Sequence, residues 1–271
     1  MVDIKALRAQ HAEKKKDSKQ LICLLGIRGS GKSAAAAGTW GERRVLLIQG
    51  SQESHGSMSA ATVATKPENI FPITIDIDEV TGKRRNSVGV FKAISEVTSD
   101  LDFMKDFDVV VIDSLAVVDE WIDSLPQIRA ANGYDIKREM DRAYASFLDS
   151  LIQLRDRGTH HVVVTIPTER RGSSTEGFFE VPSLKGASAV NNIIGAANTI
   201  LFVKRDEATV ERDGEEVEIT VHVFDTNVKS EKTGTKMSGQ KYTLPVECRV
   251  AGVKTQDLPP RLHANLGKLI K

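Results

Sequence analysis

A glycine-rich stretch with one lysine and one serine, "GIRGSGKS", follows directly after the apolar run Leu21–Leu25. Its pattern is G-x-x-x-x-G-K-S, in which the glycines let the backbone approach an anion and the N–H groups point at it. The lysine of this pattern reaches the outer phosphates of a nucleotide, and the serine hydroxyl is a Mg²⁺ ligand. The residues predicted to bind a nucleotide, which we expect to be ATP, are Gly26, Ile27, Arg28, Gly29, Ser30, Gly31, Lys32, Ser33 and Ala34.

Two acidic residues supply the other groups that a nucleotide-hydrolysing site needs. Asp113 closes the apolar run in "FDVVVIDS", where a strand-end carboxylate holds Mg²⁺ together with Ser33. Glu53 follows the run in "VLLIQGSQES" and is predicted to orient the attacking water, with Gln52 as the competing candidate. Lys32 is expected to neutralise the charge that develops on the phosphates. Together with a residue that orients water, these groups predict hydrolysis of ATP. The chain contains no D-x-x-G and no N-K-x-D, which disfavours a GTPase.

Apolar runs alternate with helical patterns, which predicts an α/β fold whose largely parallel sheet is flanked by helices. Asp213-Gly214 has the composition of a hairpin turn, so an antiparallel C-terminal extension is expected. Pro72–Asp78 is expected to pair back through the turn Thr81-Gly82-Lys83. The predicted strands are Leu21–Leu25, Arg44–Gly50, Pro72–Asp78, Phe107–Ser114, His160–Ile166, Thr199–Arg205 and 240–248. The predicted helices are Ser33–Trp40, Val90–Met104 and Lys137–Arg157.

The composition limits the classes of partner. Lys plus Arg and Asp plus Glu both number 37, so the zero net charge gives no overall attraction to nucleic acid or membranes. Cys23 and Cys248 lie far apart in apolar surroundings, which is typical of reduced core thiols. His160 and His161 begin a strand and are interpreted as structural.

No apolar run approaches the ~18 residues of a membrane span, and we expect a cytoplasmic protein, in the host cytoplasm if the chain is viral. The expected organisation is a basic N-terminal arm at 1–20, one domain at 21–247 and a C-terminal tail at 248–271.

Four segments, "GIRGSGKS", "VLLIQGSQES", "DVVVIDSLAVV" and "HHVVVTIPTERR", together resemble the RecA/RadA/KaiC branch of P-loop ATPases. The chain looks most like the phage-encoded single-domain RecA-like ATPases, some of which are grouped as single-strand annealing proteins, over about residues 20–245. The resemblance implies a RecA-like P-loop core and gives Glu53 the role of catalytic base. It also implies a polar sensor after the next strand, for which Thr165 or Thr168 would serve; we assign the role to Thr168.

The same resemblance implies two DNA-facing regions, which match Asp119–Arg138 and Thr168–Ser188. The second is rich in glycine and serine and is expected to be a mobile loop. Its predicted nucleic-acid contacts are Arg170, Arg171 and Lys185 for phosphates and Phe178 and Phe179 for base stacking. The family binds nucleotide between subunits, which makes Lys229, Lys232 and Lys236 candidates to act across an interface.

Three functions remain open from the sequence. The first is a RecA-like ATPase that assembles into a ring or filament and acts on single-stranded DNA in recombination or annealing. The second is a motor or loader ATPase whose partner is a protein complex. The third is a nucleotide-gated scaffold without turnover.

Overall fold

A nine-stranded sheet forms the centre of the protein in a computed structural model that describes residues 19–173, 177–184, 187–212, 215–225, 250–251, 253 and 261–270. The strands are β1 (Leu21–Gly26), β2 (Val45–Gln49), β3 (Ile70–Thr74), β4 (Val109–Asp113), β5 (His161–Ser173), β6 (Gly177–Pro182), β7 (Thr199–Arg212), β8 (Glu215–Asp225) and β9 (Arg261–His263). They are ordered β3-β2-β4-β5-β1-β7-β8-β9, and β6 pairs with β5.

The first six strands of this order run parallel, whereas β7–β8, β8–β9 and β5–β6 are antiparallel pairs. Every residue of β1, β2 and β4 is buried. Strands covered on both faces are continuously apolar, which is why these segments read as unbroken runs in the sequence. The predicted α/β fold with a mostly parallel sheet and an antiparallel extension is confirmed.

Helices flank the sheet and connect its strands. They are α1 (Lys32–Gly38), α2 (His55–Val63), α3 (Ser87–Ser99), α4 (Leu101–Met104), α5 (Leu115–Asp123), α6 (Pro126–Ala130), α7 (Tyr134–Asp156), α8 (Ala187–Ala196) and α9 (Leu266–Leu269). The periodic face of α7 packs into the core through Met140, Tyr144, Phe147, Leu148 and Leu151. Gly158, at φ 77, follows the end of this helix, where glycine adopts the left-handed backbone that commonly ends a helix. Among the helices of the described ranges, none has the length and apolar character that crossing a bilayer requires.

The hairpin predicted after β3 differs from the structure. β3 pairs in parallel with β2, and only an isolated antiparallel bridge, Ile77 to Arg84, remains of the predicted hairpin. Asp76 explains the difference, because its carboxylate accepts hydrogen bonds from the backbone and hydroxyl of Ser51, both at 2.7 Å. This contact ties the end of β3 to the chain after β2 and stops the hairpin from extending.

Capping divides the helix predicted over Val90–Met104 in two. The side chain of Asp100 accepts hydrogen bonds from the backbone N–H groups of Asp102 and Phe103 and so begins a separate short helix, α4.

The segment Thr168–Ser188, predicted as a loop, begins as a β-hairpin. Thr168–Ser173 of β5 pairs with Gly177–Pro182, which is β6. β7 also continues seven residues past the predicted end at Arg205, to Arg212, because β8 pairs with it from Phe202 to Arg212. The predicted turn Asp213-Gly214, the predicted strand 240–248 and Cys248 lie outside the described residues.

Both histidines at the start of β5 lie in the core region. His160 Nε2 is 2.8 Å from the carbonyl oxygen of Met104, and the ring of His161 stacks on Trp40 with centroids 5.5 Å apart. Both are buried, as is Cys23. The structural interpretation of the two histidines agrees with these contacts.

Candidate functional site

A cavity of about 300 Å³ lies where the chain leaves the carboxyl ends of β1, β2 and β4. These strands are parallel, so the loops that follow them meet at one edge of the sheet, the usual position of ligand sites in such folds. Four residues predicted to do chemistry line the cavity together: Lys32, Ser33, Glu53 and Asp113.

The glycine-rich loop, residues 26–33, forms one wall of the cavity through Arg28, Gly29, Gly31, Lys32 and Ser33. Gly29 and Gly31 have φ values of 80 and 93, a left-handed backbone that glycine adopts without strain. Ala34 lines the cavity beyond the loop. The other predicted residues of the set, Gly26, Ile27 and Ser30, do not line the cavity.

Lys32 folds back onto its own loop. Its Nζ donates hydrogen bonds to the carbonyl oxygens of Gly26 and Ile27, both at 2.8 Å. Burial lowers the pKa of Lys32, and the charges of Asp113 and Glu53 oppose that shift. A buried ammonium held by two carbonyls is ready to exchange these partners for an anion in the cavity.

Asp113 and Ser33 converge on one point beside Gly56. The hydroxyl of Thr165 donates to Asp113 Oδ1 at 2.5 Å, whereas Oδ2 is buried without a hydrogen-bond partner within the described part of the chain. A methyl group built on Gly56 would lie 2.6 Å from this Oδ2 and 3.3 Å from Ser33 Oγ. Burial raises the pKa of Asp113, while the hydroxyls of Thr165 and Ser33 and the charge of Lys32 oppose the rise.

The carboxylate of Asp113 and the hydroxyl of Ser33 could bind Mg²⁺ only together with further oxygen ligands. Among the described residues, no group of three or more His, Cys, Asp and Glu side chains is arranged to hold a metal. Mg²⁺, however, is commonly held by one carboxylate, a hydroxyl, water and the phosphates of a substrate. The unpartnered Oδ2 of Asp113 beside the Ser33 hydroxyl matches that requirement.

Glu53, rather than Gln52, faces the cavity. It ends a single 3₁₀ turn, Ser51–Glu53, and its Oε1 accepts a hydrogen bond from Ser114 Oγ at 3.2 Å. Gln52 is exposed and its amide donates to Glu120 at 3.3 Å. Burial raises the pKa of Glu53, and the nearby charge of Asp113 raises it further.

The two threonines of β5 have different partners. Thr165 is fully buried and contacts Asp113, as described above. Thr168, the predicted sensor, does not line the cavity; its hydroxyl donates to Glu180 Oε2 on β6 at 3.0 Å. Glu180 also lies 4.0 Å from Lys204 Nζ of β7, so Thr168 belongs to a polar connection between the β5–β6 hairpin and β7. Thr165 is therefore the threonine in direct contact with the candidate site.

The predicted nucleic-acid residues divide into two groups. In the β5–β6 hairpin the backbone of Arg170 pairs with Glu180, Arg171 with Phe179, and Gly172 with Phe178. Lys185 and the candidates for action across an interface, Lys229, Lys232 and Lys236, lie outside the described residues.

Sequence reasoning missed several cavity residues, among them Arg205 on β7 and His222 on β8. These two are direct cross-strand partners in the β7–β8 pair. The predicted two-residue turn Asp213-Gly214 implies this pairing by simple counting. The approach of that hairpin to the glycine-rich loop has no signal in the local sequence.

Two comparisons with known proteins identify no relative of this chain. A scan of protein-family models finds no match to the chain, and a search of the curated proteins finds none either. The class that the structure defines is a mixed α/β protein with a mostly parallel sheet and a polar cavity at its carboxyl edge.

Proposed function

We propose that the chain is a RecA-like P-loop ATPase that binds and hydrolyses Mg²⁺-ATP and acts on single-stranded DNA. One observation carries the nucleotide part of this proposal. Lys32 and Ser33 of the glycine-rich loop line a single cavity with Glu53 and Asp113, which come from two other segments of the chain. A lysine, a hydroxyl and two carboxylates in one cavity are the groups that phosphoryl transfer to water requires.

Each group has a separate task in the proposed reaction. Lys32 leaves the carbonyls of Gly26 and Ile27 and neutralises charge on the outer phosphates. Ser33 and Asp113 would hold Mg²⁺, which supplies further neutralisation of phosphate charge when it is bound. Glu53 accepts a hydrogen bond from the attacking water and orients it toward the terminal phosphorus.

The raised pKa of Glu53 suits this role, because a carboxylate of higher basicity is a better acceptor for the proton of water. The hydrogen bond from Ser114 fixes one carboxylate oxygen and leaves the other for that water.

The β5–β6 hairpin supports the DNA part of the proposal. β5 contacts the candidate metal ligand Asp113 through Thr165 and lines the cavity through Pro167. The same strand continues into the hairpin that carries Arg170 and Arg171. A change at the phosphates would therefore be transmitted along one continuous strand to basic residues suited to a nucleic-acid backbone. Assembly into a ring or filament belongs to the same proposal.

The test is ATP hydrolysis by the purified protein with and without a dT oligonucleotide, at low and moderate salt. We expect turnover that Lys32→Ala abolishes and that DNA increases, with the increase falling as salt rises. Replacing both Arg170 and Arg171 by alanine should remove the increase and leave basal turnover intact. The matched control is Arg142→Ala, at an exposed arginine of α7 that pairs with Glu139 at 2.7 Å.

The outcomes separate the alternatives. Turnover that DNA leaves unchanged would overturn the DNA part and direct the search to a protein partner. Nucleotide binding without turnover would favour a nucleotide-gated scaffold. Absence of any nucleotide binding would overturn the proposal as a whole.

A further inference from the structure

The β7–β8 hairpin extends past the sheet and lies along the glycine-rich loop. β7 pairs in parallel with β1 only up to Leu25 and Phe202, yet it continues to Arg212 alongside β8. At the start of this extension the carbonyl oxygen of Val203 is so close to Gly26 that a methyl group on that glycine would lie 2.5 Å away. The loop is therefore backed by a two-stranded ribbon of the same chain.

His222 holds the loop from this ribbon. Its Nδ1 lies 2.9 Å from the carbonyl oxygen of Ser30 and must carry the proton, because a carbonyl only accepts. A methyl group on Gly31 would lie 2.2 Å from the same nitrogen, so the imidazole occupies the space that any side chain at position 31 would need. The glycine at this position thus serves contact with His222 as well as backbone conformation.

Arg205 lies directly opposite His222 in the strand pair and next to the loop. Its Nη2 is 3.9 Å from the position that a methyl group on Gly29 would occupy, and its side chain lines the cavity. Within the described residues, Arg205 has no ion pair. In contrast, the preceding residue, Lys204, pairs with Asp225 at 3.0 Å.

Among the side chains that line the cavity, basic groups outnumber acidic ones, although Glu180, which does not line it, also acts on Lys32. Three basic residues, Arg28, Lys32 and Arg205, face two carboxylates, Glu53 and Asp113. A polyphosphate would supply the missing negative charge. A guanidinium contributes more than charge there, since its planar donors match two phosphate oxygens at once.

We propose that Arg205 contacts the terminal phosphate of the bound nucleoside triphosphate in cis, from the β7–β8 hairpin, and that His222 positions the loop for this contact. This inference rests on the proposed nucleotide binding. It gives the chain a phosphate-binding arginine of its own, in addition to any group that a neighbouring subunit supplies.

The experiment compares the affinities of a non-hydrolysable ATP analogue and of ADP, both with Mg²⁺. We expect Arg205→Ala to weaken the binding of the analogue about tenfold or more and the binding of ADP by less than about threefold, because only the analogue carries the third phosphate. The affinity of Arg205→Lys for the analogue should lie between those of wild type and Arg205→Ala. The control Arg142→Ala should bind both nucleotides as wild type does. Arg205 is exposed, so the urea midpoint of each variant should stay unchanged.

A mixing experiment tests the action in cis. Arg205→Ala and Lys32→Ala proteins are combined and their ATP hydrolysis is measured. If both residues serve the same site of one chain, mixing restores no turnover. Recovery of turnover on mixing would overturn the action in cis.

Failure of this inference is distinguishable from failure of the proposed function. If wild type binds both nucleotides and Arg205→Ala weakens them equally or not at all, the contact with the terminal phosphate is wrong and nucleotide binding stands. If wild type binds neither nucleotide better than Lys32→Ala does, both proposals are overturned.

Discussion

Replacing Gly56 by alanine tests the geometry of the candidate metal site. Gly56 lies in the first turn of α2, beside Asp113 and Ser33. A methyl group there would lie 2.6 Å from Asp113 Oδ2, whereas ordinary van der Waals contact begins at 3.4 Å. The carboxylate cannot turn away without breaking its bond from Thr165, because Asp113 is only 3% exposed. The required shift of about 0.8 Å must therefore displace α2 or the carboxylate.

The expected free-energy change combines two opposing effects. Crowding of this kind in a well-packed interior costs about 1–3 kcal/mol. Alanine in place of glycine in a helix returns up to about 1 kcal/mol. We therefore expect Gly56→Ala to lower the free energy of unfolding by about 1 kcal/mol.

The matched control is Gly195→Ala in α8, where a methyl group would meet no atom of the described residues within 4 Å. The control should gain up to about 1 kcal/mol. The difference between the free energies of unfolding of the two variants, measured with urea, then gives the cost of crowding at Gly56.

The functional readout is the dependence of nucleotide affinity on Mg²⁺. Displacement of Asp113 Oδ2 from Ser33 Oγ should reduce the gain in ATP affinity that Mg²⁺ produces over EDTA, and Gly195→Ala should keep that gain. If Gly56→Ala is as stable as the control and binds Mg²⁺-ATP as wild type does, the close approach of Gly56 to Asp113 is wrong.

Two further predictions concern titrating groups. Glu53→Gln should bind ATP with nearly unchanged affinity and hydrolyse it at least a hundredfold more slowly in a stopped assay; turnover at the wild-type rate would remove Glu53 from its role. Because burial and Asp113 raise the pKa of Glu53, wild-type turnover should be lost as pH falls through a value above 4.5, the ordinary value for glutamate. Burial lowers the pKa of His161 from 6.5 to about 4, and the nearby charges of Lys19 and Arg43 lower it further. The unfolded chain thus binds a proton at a higher pH than the folded one. His161 alone should therefore contribute a loss of about 3 kcal/mol in the free energy of unfolding between pH 7 and pH 4. The loss for His161→Phe in urea unfolding should be smaller than that of wild type by this amount; equal losses in the two proteins would contradict the assignment.

The sequence alone determined the parts of this protein that depend on local pattern. Unbroken apolar runs predict buried parallel strands, so β1, β2 and β4 were found to within one or two residues. The glycine-rich loop and the acidic residues at strand ends were likewise visible, because parallel strands bring their carboxyl ends to one edge and the loops there must meet. Lys32 and Asp113 could therefore be assigned to one site without coordinates.

Only the tertiary structure decided which of two neighbouring candidates faces that site. Gln52 and Glu53 are adjacent in one turn, and the hydrogen bonds that Ser51 donates to Asp76 hold the start of this turn, in which Glu53 faces the cavity. Thr165 contacts Asp113 because the register of β4 and β5 brings them together, while Thr168 lies beyond that pairing.

Contacts between segments that are far apart in the chain could not be predicted from local sequence patterns either. Arg205 and His222 reach the loop because β7 pairs with β1 and then continues past it. Gly56 meets Asp113 because α2 begins beside the end of β4. Local sequence specifies the conformation of a segment, but packing between segments with long separations in the chain depends on the whole sheet, and no short motif encodes it.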